Sequence, residues 1–360
     1  MQDSAMSKWL SPLMAFCLSF IIIATLAPIT GIQFDRQLDF WLLWLGTMLI
    51  LALPIAYLEV ALAKRSKTTA LQALSSLTRE ADSSQRWRIV GWLAVAFMPF
   101  LAGGMLSNVS QMLTQWALPS VAAMWILLAL TIVSLALSVL PRLILAIVTT
   151  IAVIASIVLA NAMGTQLPAW QVTPIEFSEW GSATVLALVA SGLGLGIYAQ
   201  TSLGQIQQEK IATKTALPVW IAQLLAVIAF AFFAVKAQVP ALTLAVATVA
   251  GAALLLQLAR EQLQQRQIAL PVQWIIVAAL SLLWGIPGIA AVFNPLLMLW
   301  GLVISLIYAI FAGWIMKISH LRKSMNFSSE AIYNLWRIAV RVISPLAIIL
   351  AIIAVVGQWL

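Results

Sequence analysis

The sequence predicts an all-α integral membrane protein of about eleven transmembrane helices, and three observations carry that prediction. The 360 residues are 63% hydrophobic and only 8% charged, whereas soluble domains carry about 25% charged residues. The apolar residues fall in runs of spanning length, about 20 residues each. The basic residues fall in alternate loops between those runs. A water-soluble fold of this size has no interior large enough to hide so much apolar surface, so the bilayer is its solvent.

The runs lie at roughly 9–30, 40–63, 88–114, 119–139, 142–163, 183–203, 215–236, 239–259, 271–291, 294–317 and 332–358. The first follows Lys8 and has the outline of a signal peptide, but everything downstream is equally apolar, so it reads as a span that stays. The fourth and fifth are nearly fused, and only Leu140-Pro141-Arg142 marks the turn between them. The longest polar stretches are 64–87 and 317–331. The loop 164–182, with Pro168, Trp170 and Pro174, reads as lying along the surface. The sixteen tryptophans mostly flank spans, as an aromatic belt does.

Charge placement sets the orientation. With the N-terminus in the cytoplasm, 17 of the 19 Lys and Arg fall inside, and only Arg36 and Lys236 fall outside. The C-terminus then lies outside, and the expected location is the cell inner (cytoplasmic) membrane. The formal charge of +8 does not point to nucleic acid, because the bases sit in short loops and form no polar face. One cysteine, Cys17, and one histidine, His320, exclude a disulfide framework and any multi-His or multi-Cys metal site. The chain has no Gly-rich phosphate loop with lysine, no H-E-x-x-H and no paired acids within the spans. No catalytic residue, metal site or cofactor is therefore expected, and the chain does not read as an enzyme.

Some residues stand out as chemistry. Ser191-Gly192-Leu193-Gly194-Leu195-Gly196 lies mid-span in the sixth run, and each glycine weakens a helix by about 1 kcal/mol. Two readings are open: close helix packing through small residues, or an unwound stretch, which membranes tolerate only where it lines a cavity or is buried in protein. The first run has its own interruption, Pro28-Ile29-Thr30-Gly31, which either ends the helix or pairs with the sixth across an inverted repeat. Glu59 is the one acid well inside a span. It either snorkels toward the headgroups near Lys64 or turns inward to accept hydrogen bonds or a proton. Asn108 and Gln111 share a face of the third run, beside Ser107, Ser110 and Thr114. Gln223 and Thr248 stand alone in theirs and read as helix-to-helix contacts.

The order of these features resembles the neurotransmitter:sodium symporter family, whose fold is the LeuT fold. Leu53-Pro54-Ile55-Ala56-Tyr57-Leu58-Glu59 is similar to the family's G-I-P-L-x-x-x-E-x-x-x-G, with Ala52 and Ala63 in place of its glycines. Arg88-Ile89-Val90-Gly91-Trp92 is like its R-I-G start. Pro174-Ile175-Glu176-Phe177 through Trp180 resembles its P-D-F-x-x-L lead-in. Gly192, Gly194 and Gly196 match its S-L-G-x-G break, and Trp336-Arg337 to Ser344-Pro345 is similar to its W-x-x-x-R-x-x-x-P end.

The resemblance implies a five-plus-five inverted repeat over 1–163 and 164–317, with an eleventh helix in 318–360. It implies a secondary transporter for an amino acid or another small amine-bearing solute. The solute site would lie near Ser19, Ile23, Ala24, Asn108, Ser191, Gly192 and Gly194, with Glu59 and Gly196 in structural or gating roles. The departures lie where the family binds sodium. Its first helix unwinds at G-L-G-N, and here that region is Phe20-Ile21-Ile22-Ile23-Ala24-Thr25. Gly103-Gly104-Met105 stands where the family has its substrate tyrosine. Only Thr248, next to Ala247, lies near the second sodium site. Degraded sodium sites are therefore expected, with coupling to a proton or to no ion. The alternative is a transport-inactive descendant acting as a membrane scaffold, accessory subunit or sensor.

Overall fold

The computed structural model describes residues 2–27, 29, 38–163, 170–231 and 240–358. Pro28, Thr30 and Gly31 of the first interruption, and Arg36 and Lys236, lie outside the described residues. Regular structure among the described residues is helical. Among the described residues, seven helices are long and apolar enough to cross a membrane, and three apolar ones are shorter. The chain is a multi-pass membrane protein.

Its elements are α1 (Gln2–Leu26), α2 (Leu38–Ser66), α3 (Ala70–Glu80), α4 (Ile89–Trp116), α5 (Ala123–Leu137), α6 (Arg142–Met163) and α7 (Phe177–Leu188). Then come the short α8 (Ile197–Thr201) and α9 (Leu203–Gln208), followed by α10 (Thr213–Ala229), α11 (Ala241–Gln265) and α12 (Leu270–Leu282). The chain closes with α13 (Ala290–Ile315), α14 (Ile318–Met325) and α15 (Glu330–Gly357).

Local chemistry places several boundaries. Glu176 and Glu179 form a capping box that starts α7. Lys67, at φ 58, closes α2 in a left-handed turn, its amide bonded back to Ala63. Within α2, Pro54 has no N–H to give the preceding turn, and the ladder widens into a π turn at Met48–Ala52. The Met48 carbonyl then accepts the Trp220 indole at 2.8 Å.

α4 and α11 pack along their lengths at the centre of the bundle, and α1 lies against α10 and α6. α12 presses onto α4 at Gly103, where a Cβ would stand 2.5 Å from the Ser281 carbonyl oxygen. Trp284 locks that crossing by donating to the Phe100 carbonyl at 2.9 Å. Ile132 on α5, Ile151 on α6 and Ile275 on α12 point outward and stay exposed, as surfaces solvated by lipid do.

The basic segments gather at one end of the bundle, where α3 lies across the helix ends. α3 is amphipathic and buries Leu71, Leu74 and Leu77 beneath it. One side of α3 is tied to α11, through Leu71 N–H to Gln262 at 3.0 Å and Arg266 to Ser75 at 2.8 Å. The other side ends at Glu80, which accepts from Arg65 of α2 and pairs with His320 of α14 at 2.7 Å. The opposite end carries Asp39, Glu176 and Glu179, with Asp39 accepting the Thr173 amide.

Candidate functional site

The sixth apolar run does not form one helix. α7 ends at Leu188, α8 starts at Ile197, and irregular turns fill the eight residues between. Gly192, Gly194 and Gly196 have φ of +66°, +81° and +71°. This left-handed region suits glycine and penalises any residue with a Cβ. Alternation is thus the signature of the break, and the unwound reading of the motif is the one realised.

The break is buried and held from several helices. Glu59 turns inward and accepts the Gly196 amide at 3.1 Å, with the amides of Gly194 and Leu195 also turned toward it. Among the described residues no Lys, Arg or His lies within ion-pair distance of Glu59. Lys64, its nearest base in sequence, donates instead to the Lys210 carbonyl at 2.6 Å. The snorkelling reading is therefore set aside. The Ser191 carbonyl accepts both the Tyr198 hydroxyl and the Gln223 side chain, each at 2.9 Å. The Ser191 hydroxyl faces the Met48 sulfur at 3.7 Å. Ser19 of α1 faces the Tyr198 hydroxyl from the other side.

The remaining expected residues are dispersed. Ile23 and Ala24 are buried in α1, which runs unbroken through 20–25. The Ile23 carbonyl takes the Ala27 amide at 2.7 Å, and the Thr25 hydroxyl bonds back to Ile21 and Ile22. Asn108 donates to the Thr25 carbonyl at 3.3 Å, six residues and about 9 Å of helix rise beyond Ser19. Glu59, Ser191, Gly192, Gly194 and Gly196 thus come together with Ser19 at their edge, and Asn108 meets α1 at another level, at Thr25.

Two cavities lie beside the break among the described residues. A cavity of about 30 Å³ sits under α3 at the basic end, bounded by Leu58, Glu59, Thr69, Leu74, Gly194 and Tyr308. A smaller one, about 10 Å³, touches Glu59, Tyr198 and Ser202. Neither is lined by Ser19, Ile23, Ala24, Asn108 or Ser191. Sequence reading passed over Tyr308, one of only four tyrosines. A phenol mid-span in the tenth run was the available signal, since buried tyrosines need a partner for the hydroxyl.

An apolar helical bundle with a mid-span break, answered by an acid on the second span, defines a LeuT-fold membrane protein. Solved structures match the chain. One is the crystal structure of MhsT in complex with L-phenylalanine, with a TM-score of 0.64 over 95% of this chain and 98% of that chain, at 15% identity. This bears out the fold that the motif order implied. No protein-family model and no curated protein matches the chain.

Proposed function

We propose that this protein is a secondary transporter for an amino acid or another small amine-bearing solute, with its N-terminus in the cytoplasm of a cell whose inner membrane it spans. The observation that carries the proposal is the helix break. Residues 189–196 give up helical pairing inside the membrane, and three glycines and an inward carboxylate maintain that arrangement. Such an arrangement costs stability and is retained where backbone groups meet a ligand. The solved relative in fold holds L-phenylalanine, which supports an amino-acid-sized solute. Access alternates when the elements around the break rock against the rest. Uptake into proteoliposomes tests it: a panel of labelled amino acids is offered with and without a sodium gradient. Saturable uptake of any member supports transport, and no uptake across the panel in a folded preparation removes it.

A second reading rests on a separate observation. Tyr198 and Gln223 already occupy the Ser191 carbonyl, and α1 keeps its own carbonyls bonded. A bundle filled in this way serves as a scaffold or accessory subunit. Tyr198→Phe discriminates: it opens one of the two acceptor positions on the Ser191 carbonyl, Gln223 keeping the other, which should change solute affinity under the transport reading, and it merely loosens the fold under the scaffold reading.

A further inference from the structure

Glu59 is the point where the two cavities meet, since both are bounded by it and by Ala199. The larger has room for about two waters and runs to the Thr68–Thr69 turn at the basic end. Around it stand polar groups that have no protein partner. The Tyr308 hydroxyl is unpaired in a residue only 6% exposed, and the Thr68 hydroxyl is unpaired as well. Buried hydroxyls of this kind are satisfied by ordered water. A chain of waters from Thr68 past Tyr308 to the Glu59 carboxylate meets each of these needs at once.

Among the described residues, the surroundings of the carboxylate contain no other charged side chain. Tyr198 faces it from α8 and Tyr308 from α13. Thr215 stands on α10, and Cys17 of α1 lies beyond Tyr198. α3 offers the cavity Thr69 and apolar side chains. The ion pairs of Glu80 lie at the far end of α3, and Lys64 is turned away to Lys210.

We propose that Glu59 is a proton-binding site, loaded by water from the basic end through the cavity under α3, and that its protonation releases the amides of the helix break. An O–H bond of a hydronium ion breaks as its proton bonds to a carboxylate oxygen of Glu59, and the products are one water and a neutral carboxylic acid. A neutral carboxyl is a weaker acceptor than a carboxylate, so the hold on residues 194–196 slackens. This deepens the transport reading by naming its coupling ion, and it rests on that reading only in that last step.

The test uses the full chain in nanodiscs and needs no solute. Infrared difference spectra across a pH series should contain a carboxylic-acid C=O band that grows as pH falls. The band should be absent in Glu59→Gln and displaced in Tyr308→Phe. Amide exchange at 194–196, corrected for its intrinsic pH dependence, should quicken about tenfold or more on acidification, the scale of one lost charge-assisted bond. If Glu59→Gln does not fold, wild-type exchange and Tyr308→Phe carry the test. Exchange indifferent to pH, a band unchanged in both variants, or a band removed by Na⁺ at constant pH overturns the proposal. Proteoliposomes under a proton gradient then separate the two readings. A titrating Glu59 with no solute moved removes the transporter and leaves the proton site. Solute movement indifferent to the gradient, with no titration, does the reverse.

Discussion

Replacing Gly194 by Ala tests the helix break at its most constrained point. At φ +81° an L-residue is strained by about 1–2 kcal/mol. The added Cβ would stand 2.9 Å from the Ser305 hydroxyl and 3.5 Å from both Ile304 Cγ2 and Ser305 Cα. The 3.5 Å contacts are ordinary van der Waals distances, so only the displaced Ser305 hydroxyl adds overpacking, about 1 kcal/mol. The sum, about 2–3 kcal/mol, is a large share of a native stability of roughly 5–15 kcal/mol. Melting in detergent should fall by about 4–8 °C. Gly46→Ala is the control, because its Cβ meets nothing within 4 Å in the middle of α2. There alanine should stabilise by about 0.5–1 kcal/mol. The two substitutions are chemically identical and are predicted to have opposite signs. A Gly194→Ala protein that melts at or above the wild type would refute the left-handed geometry and return residues 189–196 to a continuous helix.

Other outcomes follow from the same geometry. Reporter fusions after Leu360 and within α3 should report opposite sides of the membrane, and the same side for both would overturn the orientation. Replacing Na⁺ by K⁺ should leave melting and any uptake unchanged, because Ile21 and Leu18 methyls lie 3.0 and 3.4 Å from the Cβ position of Gly251 on α11, one turn from Thr248. Sodium-dependent stabilisation would restore the family's ion sites. The Glu80 carboxyl is held below its ordinary range, first by the Arg65 hydrogen bond, against partial desolvation and with help from His320. A depressed carboxyl contributes its full stability above its unfolded value, about 4.3, and loses it as pH falls through the folded value. Spin labels on α2 and α3 should therefore keep their separation from neutral pH to about 4 and part only in stronger acid; parting well above that range would refute the role given to the Glu80 carboxyl.

The sequence made the frame legible because lipid imposes simple rules. Spans must be long and apolar, bases must cluster between alternate pairs of them, and alternate glycines have few uses mid-span. Glu59 stood out for the same reason, as the one acid well inside a span, but its two readings, toward the headgroups or inward, were separated only by its bond to the Gly196 amide. What escaped was pairwise chemistry between distant segments. Gln223 looks isolated until α10 places it 2.9 Å from the Ser191 carbonyl. Tyr198 could equally have faced open space or filled it. α3 lay hidden in a polar stretch whose amphipathic period is short. Ser19, Ile23 and Ala24 entered only through the resemblance. An unbroken α1 exposes none of the backbone that the family uses there, so their role stays with the proposal.

The glutamines of the basic end couple parts that otherwise share little contact. Gln262 accepts the Leu71 amide of α3 with one side-chain atom and donates to the Gln200 oxygen at 2.9 Å with the other. Gln200 spends its own amide on Glu261 and the Leu258 carbonyl, and its backbone N–H returns to Gly196 at 2.9 Å. All four side-chain amide atoms are engaged, so the linkage has no slack. Through two side chains, the lid over the cavity and the segment that follows the break share one hydrogen-bonded unit.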